Sequence, residues 1–384
     1  MGKIEIDHTG SGGGITLSSD GTSLLLGGSA VGGGAALELY DENPSTPTAP
    51  SATGTNAVAI GYGSTASSTE SVAIGDSTSS GINSIAIGEN STSSGNRSTA
   101  IGRNSFSGSA DATAVGAYSI ATTGSYANAF GHHAYSYGQD GTSIGRAYSS
   151  GTDSFAAAIA NNSSSYGAQQ TSSIAIGKQA KATGAYGTAI GEATQATASN
   201  SVCIGYYSQA TAQGAVALGY DAQATAAKAF AFGLKVRNPI ENSFKFAGGN
   251  FAAAGDAQGG MYILRADTTD ATATVLTTDN TTPGTTDQIV AASDTCIMFS
   301  GTLVAMQNGA QDQGGWEIKG LLKNDGGTTT LVSSNIQTFD DGNGWVVALT
   351  ADNTNNALAI TCTGEASHNI RWVANIQTSE VTYA

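Results

Sequence analysis

The sequence is short of most of what a large enzyme core is built from. Only 11% of its 384 residues are charged and 7% are aromatic, while glycine alone accounts for 52. That profile suits a Gly/Ser/Thr/Ala-rich β-solenoid. Lys and Arg number 14 against 29 Asp and Glu, a formal net charge of −15. With no basic stripe, nucleic acid is not the expected partner. The three cysteines, Cys203, Cys296 and Cys362, form an odd set without CxxC spacing, so neither a zinc site nor a disulfide framework is indicated. Cys203 reads as a small core residue. Cys296 and Cys362 read as buried thiols, which could pair only if their strands lie side by side. No stretch approaches the roughly 20 apolar residues of a membrane helix, and residues 1–15 carry no apolar segment of a secretory signal. Catalytic signatures are missing as well: there is no GxSxG, no GxxxxGK and no HExxH. The expectation is a protein that is not an enzyme and needs no metal or cofactor.

Proline is scarce too, with five in all and none between Pro50 and Pro239. Every backbone N–H in that interval can therefore join a ladder. What fills it is a returning phrase: Ala57-Val58-Ala59-Ile60-Gly61, Ser71-Val72-Ala73-Ile74-Gly75, Ser84-Ile85-Ala86-Ile87-Gly88. The phrase runs on through Gly102, Gly116, Gly131, Gly145, Ala160, Gly177, Gly191, Gly205, Gly219 and Gly233. Of the twelve steps between these thirteen anchors, eight are of 14 residues and the others 13, 15, 15 and 17. A fixed period of this kind defines a solenoid. Fourteen residues hold two short strands and two tight turns, and the Ser, Thr, Asn and Gly between anchors disfavour helix.

Side chains alternate along a strand. The residue before the anchor is Ile, Val, Leu or Phe throughout, and the one before that is Ala in eleven coils, with Ser143 and Cys203 as exceptions. A strand packed on both sides is predicted, each coil burying its apolar row against its neighbours at about 4.8 Å per coil.

The phrase Ser-Val-Ala-Ile-Gly, followed by runs such as Gln179-Ala180-Lys181-Ala182-Thr183-Gly184, resembles the head repeat of the trimeric autotransporter (YadA-like) adhesins, a repeat also found in bacteriophage fibres. The resemblance covers about half of the chain. It implies a left-handed parallel β-roll of about 13 coils and a homotrimer, neither of which the spacing itself establishes. An adhesin of this kind needs export, a coiled-coil stalk and a membrane barrel. None is visible, so a phage fibre is the preferred expectation and an adhesin fragment the alternative. A phage glycan depolymerase is disfavoured because the roll is thin and poor in carboxylates.

Four regions are expected. Residues 1–50 read as a virion attachment segment of short strands (Lys3–Ile6, Gly14–Leu17, Ser23–Leu26) with a Pro-containing linker. Residues 51–235 are the β-roll, and 236–287 a cap and linker in which Phe244, Phe246 and Phe251 cover the last coil. Residues 288–384 hold seven short apolar runs and all three tryptophans, which predicts an antiparallel β-sandwich.

The expected role is a virion-surface appendage, extracellular and without membrane insertion. Its N-terminus is held by a tail or capsid protein, and its distal part meets a host surface glycan or protein. Loops on a rigid sandwich are where recognition residues sit, so the receptor-binding candidates are Asn324 and Asp325 in one turn and Asp340, Asp341 and Asn343 in another. The latter turn lacks the spaced carboxylates and closing Glu of a calcium loop. The alternative is a glycan belt of Tyr135, Tyr137 and Tyr148 on the roll, beside His132 and His133. Two stacked ion pairs, Glu89 with Arg103 and Lys178 with Glu192, are predicted at the coil corners.

Overall fold

The computed structural model describes the strands Ile4–Ile6, Ile15–Ser19, Leu24–Leu26, Ser29–Val31 and Ala36–Leu39, and residues 48–157, 165–309, 312–342 and 344–383. It divides into two compact units, residues 1–145 and 146–384.

In the first unit the four N-terminal strands make an antiparallel meander, with Ile4 opposite Leu17, Leu17 opposite Leu26 and Leu24 opposite Val31. Ala36–Leu39, expected to lead into a linker, is instead a rung of the roll and pairs in parallel with Ala57–Ile60. Seven coils follow. Each phrase strand stacks like on like, so that Ala73, Ala86, Ala100, Ala114 and Ala129 form one column. A second parallel ladder runs from Ser51–Ala52 to Tyr135–Ser136. The second unit begins with seven more coils, whose phrase strands run from Phe155–Ala157 to Ser243–Ala247. The repeat is thus a parallel β-solenoid of about fourteen turns in all.

The coils turn on left-handed residues. One stands five before the anchor (Asn83, Arg97, Asp111) and another two after it (Asn90, Asn104, Tyr118). The 13-residue coil after Gly75 lacks the second of these, and the 15-residue coil after Gly116 adds one at Thr123. One anchor was misplaced. Ala157 lies opposite Ile176, so the phrase is Phe155–Ala157 and not Ala158–Ala160. The step to the next strand is then 19 residues, and residues 158–164 lie outside the described set.

The faces of the phrase strand are also distributed differently from the expectation. Its Ala column points inward and is fully buried, together with serines such as Ser79, Ser84, Ser93 and Ser98. The Ser79 and Ser84 hydroxyls meet at 2.6 Å across one coil, as do those of Ser93 and Ser98. An interior so narrow is filled almost throughout by the methyl and hydroxymethyl groups of Ala and Ser, with the Cys203 thiol among the few others. The large apolar row therefore faces outward: Ile144 is 44% exposed in the first unit and Phe232 54% in the second. Phe244 and Phe246 extend this row in register with Phe230 and Phe232 and do not cover the coil. The inner face is closed by Val236, Asn238 and Ile240.

Beyond the roll, the second unit holds two antiparallel sheets. The larger has the order Ala257–Thr268, Ile370–Thr382, Thr295–Gln307, Gln313–Asp325, Thr328–Asp341. The smaller comprises Thr274–Val275, Ile289–Val290, Val346–Asp352 and Ala357–Thr363. They share one core that includes Ile289 and Ile360 from the smaller sheet and Leu276 and Trp345 from the residues next to its strands. Tyr262, Phe299, Trp316, Ile318 and Trp372 come from the larger. Ala257–Thr268, in the region expected to be cap and linker, pairs with the final strand over twelve positions. The two apolar runs Cys296–Phe299 and Leu303–Met306 are one strand. All three cysteines are free. Burial pushes the Cys203 thiol up to about 11 and the Cys362 thiol up to about 12.

Candidate functional site

The corners of the roll carry ladders of exposed side chains. Lys178 Nζ meets Glu192 Oε1 at 2.8 Å, as the register requires. Glu89 and Arg103 also occupy one corner, since the Asn104 N–H donates to the Glu89 carbonyl at 2.8 Å. Arg103, however, lies over the Tyr118 ring of the next coil, 4.8 Å from its centroid. Tyr118 stacks on His133 at 4.9 Å and 5°. His133 Nδ1 is 3.2 Å from the Tyr135 hydroxyl, and Tyr137 stands 6.2 Å from Tyr135. A cation and two rings, those of Arg103, Tyr118 and His133, thus climb successive coils, with Tyr135 and Tyr137 on the same coil as His133, the left-handed turn at Tyr118 and His133 setting the rings on one edge. Tyr148 sits on the strand Tyr148–Ser149 of the second unit.

A tyrosine group in the second unit escaped the reading of the sequence. Tyr206 stacks on Tyr220 at 5.0 Å and meets Tyr207 at 4.4 Å. Tyr207 and Tyr220 are each 48% exposed, whereas Tyr135 and Tyr137 are half-buried. The available signal was position: Tyr206 and Tyr220 directly follow anchors, and Tyr207 stands one residue further on at the left-handed corner, where side chains point outward.

The two predicted receptor turns are not one site. In the hairpin of Gln313–Asp325 and Thr328–Asp341, Asp325 faces Thr328 at one end and Asp341 faces Gly314 at the other. About a dozen residues at roughly 3.4 Å each place the turns some 40 Å apart. Asn324 is buried, donating to the Ala291 carbonyl at 2.8 Å and accepting from the Gly327 N–H at 2.9 Å. Its side chain is spent on building the turn. Asp325 is exposed and accepts from Lys323 at 3.2 Å. At the opposite end Asp340 accepts from Gln313 Nε2 at 2.8 Å and from the Gly342 N–H at 3.0 Å, bonds that hold its carboxyl below the usual range. Asp341 accepts from the Gly344 N–H at 3.3 Å. Asn343 lies outside the described residues.

At the end of the larger sheet where Asp341 faces Gly314, a cavity of about 700 Å³ opens between the ends of three other strands. Asp267, Gln307, Asn308, Asn369 and Arg371 line it, with Met306 as an apolar shelf. At the far end of the sheet the last roll strand brings Lys245 into the position that Ala231 occupies one coil earlier. Lys245 Nζ meets Glu380 Oε2 at 2.8 Å with both side chains buried. Tyr262, Thr378 and Gln258 also donate to that carboxylate, at 2.9, 2.8 and 3.1 Å. Burial pushes Glu380 up, but the Lys245 charge and these donors outweigh it and leave the carboxyl below its ordinary value. Among the described residues no group of three or more His, Cys, Asp or Glu is placed to hold a metal ion. Among the described residues no helix is long and apolar enough to cross a membrane.

The described residues thus present an all-β parallel solenoid whose corners carry exposed ladders of side chains, the architecture of an adhesin-like fibrous protein. The YadA head domain repeat matches at residues 52–78, 79–105, 168–191, 182–208 and 210–235. The roll is therefore a YadA-head-like β-solenoid. No curated protein matches the chain. Among solved structures, the tailspike protein of Acinetobacter baumannii phage AM24 aligns at 8% identity and a TM-score of 0.18. That alignment covers 90% of this chain and 52% of the tailspike, so the chain spans about half of that protein's length.

Proposed function

We propose that the chain is a subunit of a homotrimeric phage fibre. Its N-terminal segment docks on a tail or capsid protein, and its C-terminal sheets contact a glycan or protein of the host surface. The observation that carries this reading is the outward apolar row of a YadA-head-like roll. Within each unit Ile, Val, Leu and Phe repeat in register along one face and remain partly exposed. A row of this kind marks an association surface, and packing between copies gives it a partner. Of the two predicted turns, the Asp340–Gly344 end is preferred for receptor contact, because Asn324 has no free side-chain group. The second reading, a fragment of a bacterial surface adhesin, draws on the same family match.

The test is light scattering on the intact chain, followed by adsorption of labelled chain to host cells. A trimer that competes with phage for adsorption supports the proposal. A stable folded monomer removes it. Substitution of Ile176 and Ile190 by Asp on the outward row is expected to yield monomers with the coil register intact.

A further inference from the structure

The cavity among Asp267, Gln307, Asn308, Asn369 and Arg371 differs from the others in what its lining leaves unused. Near Lys245 and Glu380 a smaller cavity of about 240 Å³ has its carboxylate already engaged by four donors. A third, of about 280 Å³, lies over the open sheet face around Met261 and Met298. The 700 Å³ cavity falls within the ordinary range of small-molecule sites.

Three features of its lining define what it takes. Gln307 Oε1 is buried and meets no hydrogen-bond donor, an arrangement that costs free energy unless a ligand supplies one. Asn308 and Asn369 engage each other through the main chain, the Asn308 N–H donating to the Asn369 carbonyl at 2.8 Å. Their side-chain amides make no hydrogen bond among the described residues. The two charges cancel, since Arg371 Nε sits 3.3 Å from Asp267 Oδ1, and Asn280 Nδ2 holds the other Asp267 oxygen at 2.9 Å. Met306, 55% exposed, supplies an apolar surface at the rim. Amides that both donate and accept, an orphan acceptor, no net charge and one apolar wall match a neutral polyhydroxylated ring. We infer that this cavity binds a neutral saccharide unit, with Gln307 Oε1 accepting from a sugar hydroxyl and the Asn308 and Asn369 amides bonding its neighbours. The inference rests on the proposed host-surface role and names its ligand class.

The experiment is saturation-transfer NMR on the intact chain with glucose, galactose, N-acetylglucosamine and glucuronate as probes. Transfer to at least one neutral sugar is expected. Asn369→Ala should weaken it about tenfold, the loss of one or two hydrogen bonds, with unchanged circular dichroism. Gln307→Leu should weaken it similarly while raising the melting temperature, a pairing that a purely structural role for Gln307 does not produce. No transfer to any neutral sugar, equal transfer in both variants, or tighter binding of glucuronate than of the neutral sugars would overturn the inference. Cell adsorption separates the two levels. If the intact chain and Asn369→Ala adsorb equally, the cavity assignment fails and the fibre reading stands. Should sugar binding be measured while the intact chain adsorbs to no cell, the fibre reading fails and the cavity stands.

Discussion

The roll and the C-terminal sheets are both built of β-strands, yet their interiors share almost no side-chain chemistry. Inside the roll are Ala and Ser, closed by hydroxyl pairs at 2.6 Å. Inside the sheets Trp372 stacks on Trp316 at 5.6 Å and meets Trp345 tilted at 5.5 Å, all three packed with Leu, Ile and Phe. Apolar burial scales with area at roughly 25 cal/mol per Å², so a buried Ala contributes far less than a buried Trp. The roll relies on ladder hydrogen bonds and on whatever covers its outward Ile row, whereas the sheets close a core of their own. The same alternation of large and small residues therefore serves opposite ends: large side chains point in where two sheets face each other across a wide gap, and out where two strands of one coil nearly touch.

The sharpest break between the two interiors is at Lys245, where a charge replaces the small inward residue and the sheet answers with Glu380. Removing one member of a buried, hydrogen-bonded pair leaves the other uncompensated, at a cost of about 3–5 kcal/mol. Glu380→Gln is expected to destabilise the second unit by that order in chemical denaturation. The double change Lys245→Met with Glu380→Leu should recover most of the loss. The pH dependence follows from the lowered carboxyl. The pair's contribution is fully present above the ordinary glutamate value of 4.5 and is lost as pH falls through the lower folded value. The gap between native chain and Glu380→Gln should therefore close on acidification below that point and stay constant above it. For the same reason, truncation at residue 288 is a poor test of receptor binding. It would strip Glu380 from Lys245 and the final strand from Ala257–Thr268 together.

Next in size is the roll interior. Ala100 is fully buried between Ala86 and Ala114, and Ala100→Leu must push the two ladders apart. Overpacking of a filled core costs about 1–3 kcal/mol, and here it disturbs both neighbouring coils. Ile101→Thr, one residue along and outward, should leave the melting temperature of a dissociated chain nearly unchanged and weaken self-association instead. If the two substitutions exchange these phenotypes, the assignment of inner and outer faces is wrong.

The sequence was a good guide to the period and a poor one to which face points in. Alternation shows that a strand has two faces, and the usual expectation places the larger residues inside. The counter-signal was present in the second ladder: Ser79, Ser93 and Ala121 leave no partner volume for an inward Ile. The anchor at Ala160 misled because Ala158-Ile159-Ala160 imitates the phrase. Only pairing of Ala157 with Ile176 reveals the true register. The polar gap Ser300-Gly301-Thr302 separates the apolar runs Cys296–Phe299 and Leu303–Met306, which are one strand. Gly301 sits mid-strand because the Asn375 carbonyl leaves no room for a Cβ. The alternation of Tyr262, Leu264 and Ala266 was legible as a strand and was passed over beside its Gly-rich flank. As to the candidate turns, nothing local states that the two lie at opposite ends of one hairpin. That follows only from strands of 13 and 14 residues.

The smallest expected effect lies at the corner ladders. Lys178 donates to Glu192 at 2.8 Å, and that hydrogen bond raises the Lys178 pKa, yet both side chains stand in solvent. Exposed pairs of this kind give back most of their attraction in side-chain entropy and salt screening. Lys178→Ala should leave the denaturation midpoint within the scatter of repeated measurements at physiological salt, with any difference from the native chain fading as salt is added. The contrast with Lys245 is the point of the measurement. Both lysines meet a glutamate at 2.8 Å, so a large effect at Lys178 would mean that burial is not what separates the two pairs.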